Sequence, residues 1–231
     1  MSRKQELREK AVWRSDPHTL VKHLVYRHYL DCWMPKILQK FPTATIVDAF
    51  AGPGVYEDGP VGSPLLIAKT FLGHSAYARF NNLRVVCLEQ RADRVARLRA
   101  EIAAVGQTPK LQMTVLEPSE FAAQQPFLSQ VAHGDRPNST PVLWLLDPFN
   151  IKSLPFYRVA DCLSGRYDEA VVTFFTEEMH RFCTREGFDL TLDEHFGSAD
   201  WRGAAQVYGE AQRKDALVNA YRRSLRRAKA F

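Results

Sequence analysis

Residues 43–54 read Thr-Ala-Thr-Ile-Val-Asp-Ala-Phe-Ala-Gly-Pro-Gly, a β-branched apolar run that stops in an acid and passes through a phenylalanine into two glycines. A strand that feeds a glycine turn brings bare backbone close to a ligand, because Gly52 and Gly54 carry no Cβ to hold it away and tolerate a positive φ. Asp48, at the carboxyl end of that strand, is placed to meet an amine or a hydroxyl. The competing reading is a tight strand-to-loop turn with no ligand.

The pattern Asp48, Phe50, Gly52, Gly54 resembles motif I of the class I S-adenosylmethionine-dependent methyltransferases, in the variety found in enzymes that modify nucleic-acid amino groups. It departs from a dinucleotide fingerprint, which needs a third glycine for helix packing where this chain has Glu57. A nicotinamide enzyme is therefore disfavoured.

Alternating strand and helix signals follow, the pattern of a parallel sheet with crossover helices. Strands are expected at about 44–49, 84–89, 110–116, 142–147 and 169–176, with a helix over about 91–105 whose face is Val95, Leu98 and Ile102. Before them, Asp16-Pro17 reads as an N-cap and first-turn proline. The helix it opens runs through Leu20, Leu24, Tyr26, Leu30, Trp33 and Met34, and Pro35 should bend it before Ile37 and Leu38. Ser63-Pro64 reads as a second such start. At 231 residues the expectation is one domain over 16–231, preceded by a flexible segment, 1–15. The gap at 132–140 is a surface loop, 182–201 a lid or substrate segment, and an amphipathic helix runs from about Gln206 with Leu217, Tyr221 and Leu225 on its apolar face.

In an open parallel sheet the ligand lies at the carboxyl ends of the strands, beside the point where strand order reverses. Each expected strand ends there in polar residues: Asp48 and the glycines, then Glu89 to accept ribose hydroxyls, then Glu117 and Ser119 to reach an adenine amine, then Asp147-Pro148-Phe149-Asn150. This last run resembles motif IV of amino-group methyltransferases, in which an acid or amide orients the target amine and an aromatic stacks on the flipped base. One proline of that motif is missing, so Phe149 sits a place early.

A closer resemblance covers about residues 16–230. The run from His18 to Leu38, the stretch D-A-F-A-G-P-G-V-Y-E-D-G-P-V-G-S-P-L, then L-D-P-F and H-F-G-S-A-D-W-R are similar to the three-Cys-motif partner (TcmP) proteins. The resemblance implies a Rossmann-like class I methyltransferase fold, S-adenosylmethionine as cofactor, and a companion protein bearing three closely spaced cysteines. The strand ends and the two methyltransferase motifs together assign Asp48, Phe50, Gly52, Gly54, Glu89, Glu117 and Ser119 to the cofactor and Asp147 and Phe149 to the methyl acceptor. Class I methyltransferases close their sheet with two more strands, so the chain is expected to lack the last ones and to leave an open edge after the fifth. Two functions stay open: methyl transfer to a nucleic-acid amino group, or a non-catalytic module of the same fold that docks to the companion.

The net charge of +5 suits a polyanionic partner, DNA or RNA, and is concentrated late in the chain, where Arg222, Arg223, Arg226 and Arg227 are expected to hold phosphates. No apolar stretch approaches the roughly 20 residues of a membrane span, and no secretory signal opens the chain, which reads as cytoplasmic. Cys32, Cys87, Cys162 and Cys183 are scattered and read as reduced core thiols. His180 with Cys183, and Glu194 with His195, make a poor case for a metal.

Overall fold

The computed structural model describes residues 9–106, 108–134 and 139–229. Five strands, β1 (Thr43–Asp48), β2 (Asn82–Cys87), β3 (Leu111–Val115), β4 (Val142–Leu146) and β5 (Glu169–Val172), form one parallel sheet in the order β3-β2-β1-β4-β5. The register runs Thr43↔Asn82 to Asp48↔Cys87 for β1 on β2, Thr45↔Val142 to Asp48↔Leu145 for β1 on β4, and Leu83↔Leu111 to Cys87↔Val115 for β2 on β3. Strand order therefore reverses between β1 and β4. Every residue of β4 is buried and β1 is buried from Ala44 onward, as the helices of a crossover fold cover both faces. This accounts for their apolar, β-branched sequences. The Rossmann-like architecture expected from the sequence is present.

The chain divides into two compact units, 1–145 and 146–231. In the first, α1 (Pro17–Leu38) packs on α2 (Ser63–Gly73) and on β1, and α3 (Ala92–Val105) packs on α2 and β3. Thr45 on β1 donates to the carbonyl of Ala132 at 2.7 Å, anchoring α4 (Phe121–His133). Asp16 caps α1 by accepting from the Thr19 N–H at 2.6 Å. The helix runs unbroken through Pro35 and buries Tyr26, Leu30, Trp33, Met34 and Leu38. Leu20 and Leu24, expected on that face, are instead exposed with Val21 and Val25. They lie on the opposite side of the cylinder from Thr19 and Tyr26, and the apolar pattern alone does not separate the two faces. Helix α2 is capped by Gly62, not Ser63, with Pro64 in its first turn. Residues 9–15, expected to be flexible, are docked: Trp13 is buried. Of the 132–140 loop, residues 135–138 lie outside the described residues.

The second unit holds α5 (Phe156–Cys162), α6 (Thr176–Phe182), α7 (Asp189–Phe196), α8 (Trp201–Ala205) and α9 (Glu210–Ala228). Strand β5 ends four residues earlier than expected, with one more ladder bond from the Thr173 N–H to the Leu146 carbonyl at 2.9 Å. The 182–201 stretch is no open lid. It builds a core in which Phe196, Leu192, Trp201 and Met179 are buried with Phe156, Leu217 and Tyr221, and Phe182 stacks on Phe188 at 4.2 Å. Helix α9 lays its apolar stripe against α6, α7 and α8. A helical aromatic core, not a sheet, receives this stripe. Among the described residues no strand follows β5, and no helix is long and apolar enough to cross a membrane.

Candidate functional site

The buried run of β1 delivers Asp48, 2% exposed, to the loop Ala49–Gly54, and the loop is stitched to the neighbouring strand ends. Ala49 N–H donates to the Leu145 carbonyl at 3.1 Å, Leu88 N–H to Asp48 at 2.9 Å and Ala51 N–H to Leu88 at 2.9 Å. Phe50 packs its ring on Phe121 at 5.5 Å, and its N–H lies 3.4 Å from Asp48 Oδ1. Gly52 and Gly54 both adopt the left-handed backbone, φ +61° and +81°. They differ in purpose. A Cβ on Gly54 would lie 2.8 Å from Leu98 Cδ1 and 3.8 Å from Leu65, so this glycine lets the loop seat between α2 and α3. A Cβ on Gly52 would meet only Trp13, at 3.7 Å.

The D-G-P-V-G extension after the glycines is a small hairpin. Val55 bridges Val61, Tyr56 N–H donates to Pro60 at 3.0 Å, and Gly62 N–H donates to the Gly54 carbonyl at 2.6 Å. It returns the chain to the glycine loop just where α2 starts.

Glu89 follows β2 and is 2% exposed. Its Oε2 accepts from Gly52 N–H at 3.2 Å and its Oε1 from Arg91 N–H at 2.9 Å, so the second strand end is hydrogen-bonded to the glycine loop of the first. The guanidinium of Arg94 stands 4.0 Å away, with both side chains sealed from solvent. Burial pushes the Glu89 carboxyl up, opposed by the Arg91 N–H, the charge of Arg94 and the Gly52 N–H; burial likewise pulls the Arg94 guanidinium down, opposed by Glu89. Burial also raises the Cys87 thiol, with the charge of Asp48 adding to it.

Arg94 and Trp13 were not singled out by sequence reasoning. The signal was there: Arg94 occupies the 94, 98, 102 stripe that otherwise faces the core, and a charge on an apolar stripe needs a buried partner. Trp13 stacks on that guanidinium at 4.4 Å.

The third strand end contributes differently. Ser119 N–H donates to the Glu89 carbonyl at 3.2 Å, and Ser119 Oγ to the Glu117 carbonyl at 3.0 Å. The Glu117 carboxylate is 84% exposed and turned to Arg99 at 2.6 Å. Asp48, Phe50, Gly52, Gly54, Glu89 and Ser119 thus share one loop cluster, while the Glu117 side chain faces away.

In the second unit, Asp147 is partly buried and Phe149 is 42% exposed. Asn150, the last residue of that motif, accepts from Lys152 and Ser153 N–H at 3.0 and 3.2 Å and caps a short 3₁₀ turn, Ile151–Ser153. The H-F-G-S-A-D-W-R run is a structural joint. Gly197 caps α7 at φ +64°, and Trp201 Nε1 donates to Asp193 at 2.8 Å. Arg227 donates to Asp200 at 2.8 Å, with Arg223 3.9 Å from the same carboxylate. Two of the four arginines expected to hold phosphates are therefore tied down. Arg222 and Arg226 are exposed, and among the described residues neither pairs with an acid.

Cys87, Cys162 and Cys183 are buried free thiols, whereas Cys32 is exposed, contrary to its reading as a core thiol. Among the described residues no three His, Cys, Asp or Glu side chains converge as a metal site would require. No family model, no curated protein and no solved structure matches this chain.

Proposed function

We propose that the chain binds S-adenosylmethionine at the glycine loop of its first unit and is a methyltransferase-like protein of the three-Cys-motif partner type, acting on an amino group of a nucleic acid. One observation carries the reading. At the point where strand order reverses, the left-handed glycine loop after β1 is hydrogen-bonded through Gly52 to the buried acid that ends β2. A loop of bare backbone beside a buried carboxylate suits a nucleoside, whose ribose hydroxyls need an acceptor and whose bulk needs a wall without side chains. Gly52, where a Cβ would meet only an indole, fits that wall.

Each residue then has a task. Glu89 accepts from ribose with the lone pairs that Gly52 and Arg91 leave, Asp48 and the Gly52 backbone position the amino-acid end, and Phe50 closes the floor of the loop. Bound S-adenosylmethionine supplies a methyl group on a sulfonium. Asp147 accepts a hydrogen bond from the target amine and so directs its lone pair, and the exposed ring of Phe149 offers a stacking face for a base.

The test is thermal unfolding with S-adenosylhomocysteine. Ligand at 100 times its Kd should add about 2.7 kcal/mol of stability, and no shift at millimolar ligand removes the cofactor. Asp147→Ala should abolish methyl transfer while leaving that affinity within a few fold; loss of both moves Asp147 into the cofactor site or the fold.

A second reading, a module that docks to its companion without turnover, is favoured by Leu20, Val21, Leu24 and Val25, which are 43% to 66% exposed along one side of α1. Leu24→Glu should release the companion and leave S-adenosylhomocysteine binding intact.

A further inference from the structure

We propose that residues 9–16 are a strap that closes over the glycine loop, so that a nucleoside-bearing ligand enters only when Trp13 lifts away. The inference rests on the cofactor reading above. The strap leads directly into α1, whose cap is Asp16. It runs beside the hairpin that follows the glycines: Glu57 N–H donates to the Trp13 carbonyl at 3.0 Å, and Ser15 donates to Asp58 through its N–H at 2.8 Å and its hydroxyl at 2.6 Å. On its other side Arg91 and Arg94 donate to the carbonyls of Glu9 and Lys10, at 3.3 and 3.2 Å. Lys10 pairs with Glu57 at 2.9 Å.

The centre of the strap is the indole of Trp13, 6% exposed. It covers the open face of Gly52, stacks on the Arg94 guanidinium at 4.4 Å, and meets the edge of Tyr56 at 5.9 Å. Arg94 in turn stands beside Glu89. The indole therefore caps both groups that flank the acid, and Glu89 is left 2% exposed with an N–H on each oxygen. Glu89 is almost wholly covered in this arrangement, so a ribose read by it requires part of that cover to move.

The fastenings suit an element that opens. On the hairpin side Lys10 with Glu57 is a surface ion pair of a kind that contributes little, and the remaining fastenings are the Ser15 bonds to the exposed Asp58 carboxylate and one backbone bond from Glu57 N–H to Trp13. The indole contact is the one that must be exchanged for ligand. Because only the open fraction of molecules binds, the apparent affinity is lowered by that fraction, and loosening the strap raises it.

The experiment titrates S-adenosylhomocysteine into the full chain and into Asp58→Ala and Trp13→Ala, and follows hydrogen exchange at the Glu57 amide, which the strap protects without any ligand. Asp58→Ala is a surface change that keeps the fold should Trp13→Ala not. The expected result is faster exchange at Glu57 in Asp58→Ala together with an affinity raised about fivefold or more. Faster exchange with unchanged or weaker affinity overturns the gate and makes the strap a fixed wall. Unchanged exchange overturns the fastening, and the proposal with it. If neither the native nor the loosened chain binds while exchange quickens, the cofactor reading itself has failed, an outcome distinct from native binding that loosening does not improve.

Discussion

Two buried polar clusters, one in each unit, are treated in opposite ways. At the glycine loop, Glu89 and Arg94 lie 4.0 Å apart under the strap, with backbone N–H groups donating to each oxygen of the acid. In the aromatic core of the second unit, His195 and Tyr221 stack at 5.4 Å, and among the described residues neither ring nitrogen nor the phenol oxygen makes a hydrogen bond. The carbonyls of Ile151 and Leu154 lie close enough to favour a protonated ring, yet neither meets hydrogen-bond geometry. Buried polarity that is matched donor to acceptor can be retained for handling a ligand. Buried polarity without partners costs stability, and its rings act as packing.

The packing of the second unit can be disturbed at a single glycine. Gly197 adopts φ +64°, and a Cβ there would drive into the ring of Phe156, which itself stands edge-on to Tyr221 at 5.6 Å. Gly197→Ala should cost about 3 kcal/mol, roughly 1 from the left-handed backbone and about 2 from overpacking. Urea unfolding measures it. A cost below about 1 kcal/mol would mean that the second unit is not a rigid core and that its aromatic cluster has room to adapt.

A comparable effect comes from pH. Burial pulls the His195 ring down from 6.5 to about 4, against the carbonyls of Ile151 and Leu154. The folded value lies below the unfolded one, so between those limits the unfolded chain binds the extra proton. The contribution is fully present above pH 6.5 and is lost as pH falls toward 4, a difference of about 3 kcal/mol at most. Denaturant midpoints at pH 7 and pH 4.5 should differ accordingly, and His195→Phe should flatten that part of the profile. A profile equally steep in the variant would assign the acid sensitivity to other groups.

What was legible in the sequence follows the same divide. The glycine loop is local: a β-branched run, an acid and two glycines dictate their own conformation, and β1, β2 and β4 fall within a residue or two of expectation. Contacts between distant segments are another matter. The sequence shows that Leu217, Tyr221 and Leu225 form a stripe, but not that helices rather than a sheet receive it. It shows charges in 1–15, but Trp13 is held by residues far along the chain, the Arg94 guanidinium it stacks on and the Glu57 amide among them. Helix α4 is masked by Pro126 within it, and the 182–201 stretch by acids that alternate with its core aromatics.

The smallest effect asks whether the surface of the second unit takes any part in ligand handling. Arg223 and Arg227 share Asp200, and Arg227 also donates to the hydroxyls of Ser198 and Ser224, so these two hold α9 to the turn before α8. Arg222 and Arg226 point to solvent from the same helix. If α9 contacts phosphates, the exposed pair carries most of the salt dependence, since each phosphate neutralised on duplex DNA contributes about 0.9 to the log-log slope. Arg222→Gln with Arg226→Gln should then lower the slope by about 2, and Arg223→Gln with Arg227→Gln by less, because the charge of that pair is already partly neutralised by Asp200. Equal slopes in both double variants and the native chain would make α9 a solvated helix whose basic residues serve its own unit, and would confine any nucleic-acid contact to other surfaces.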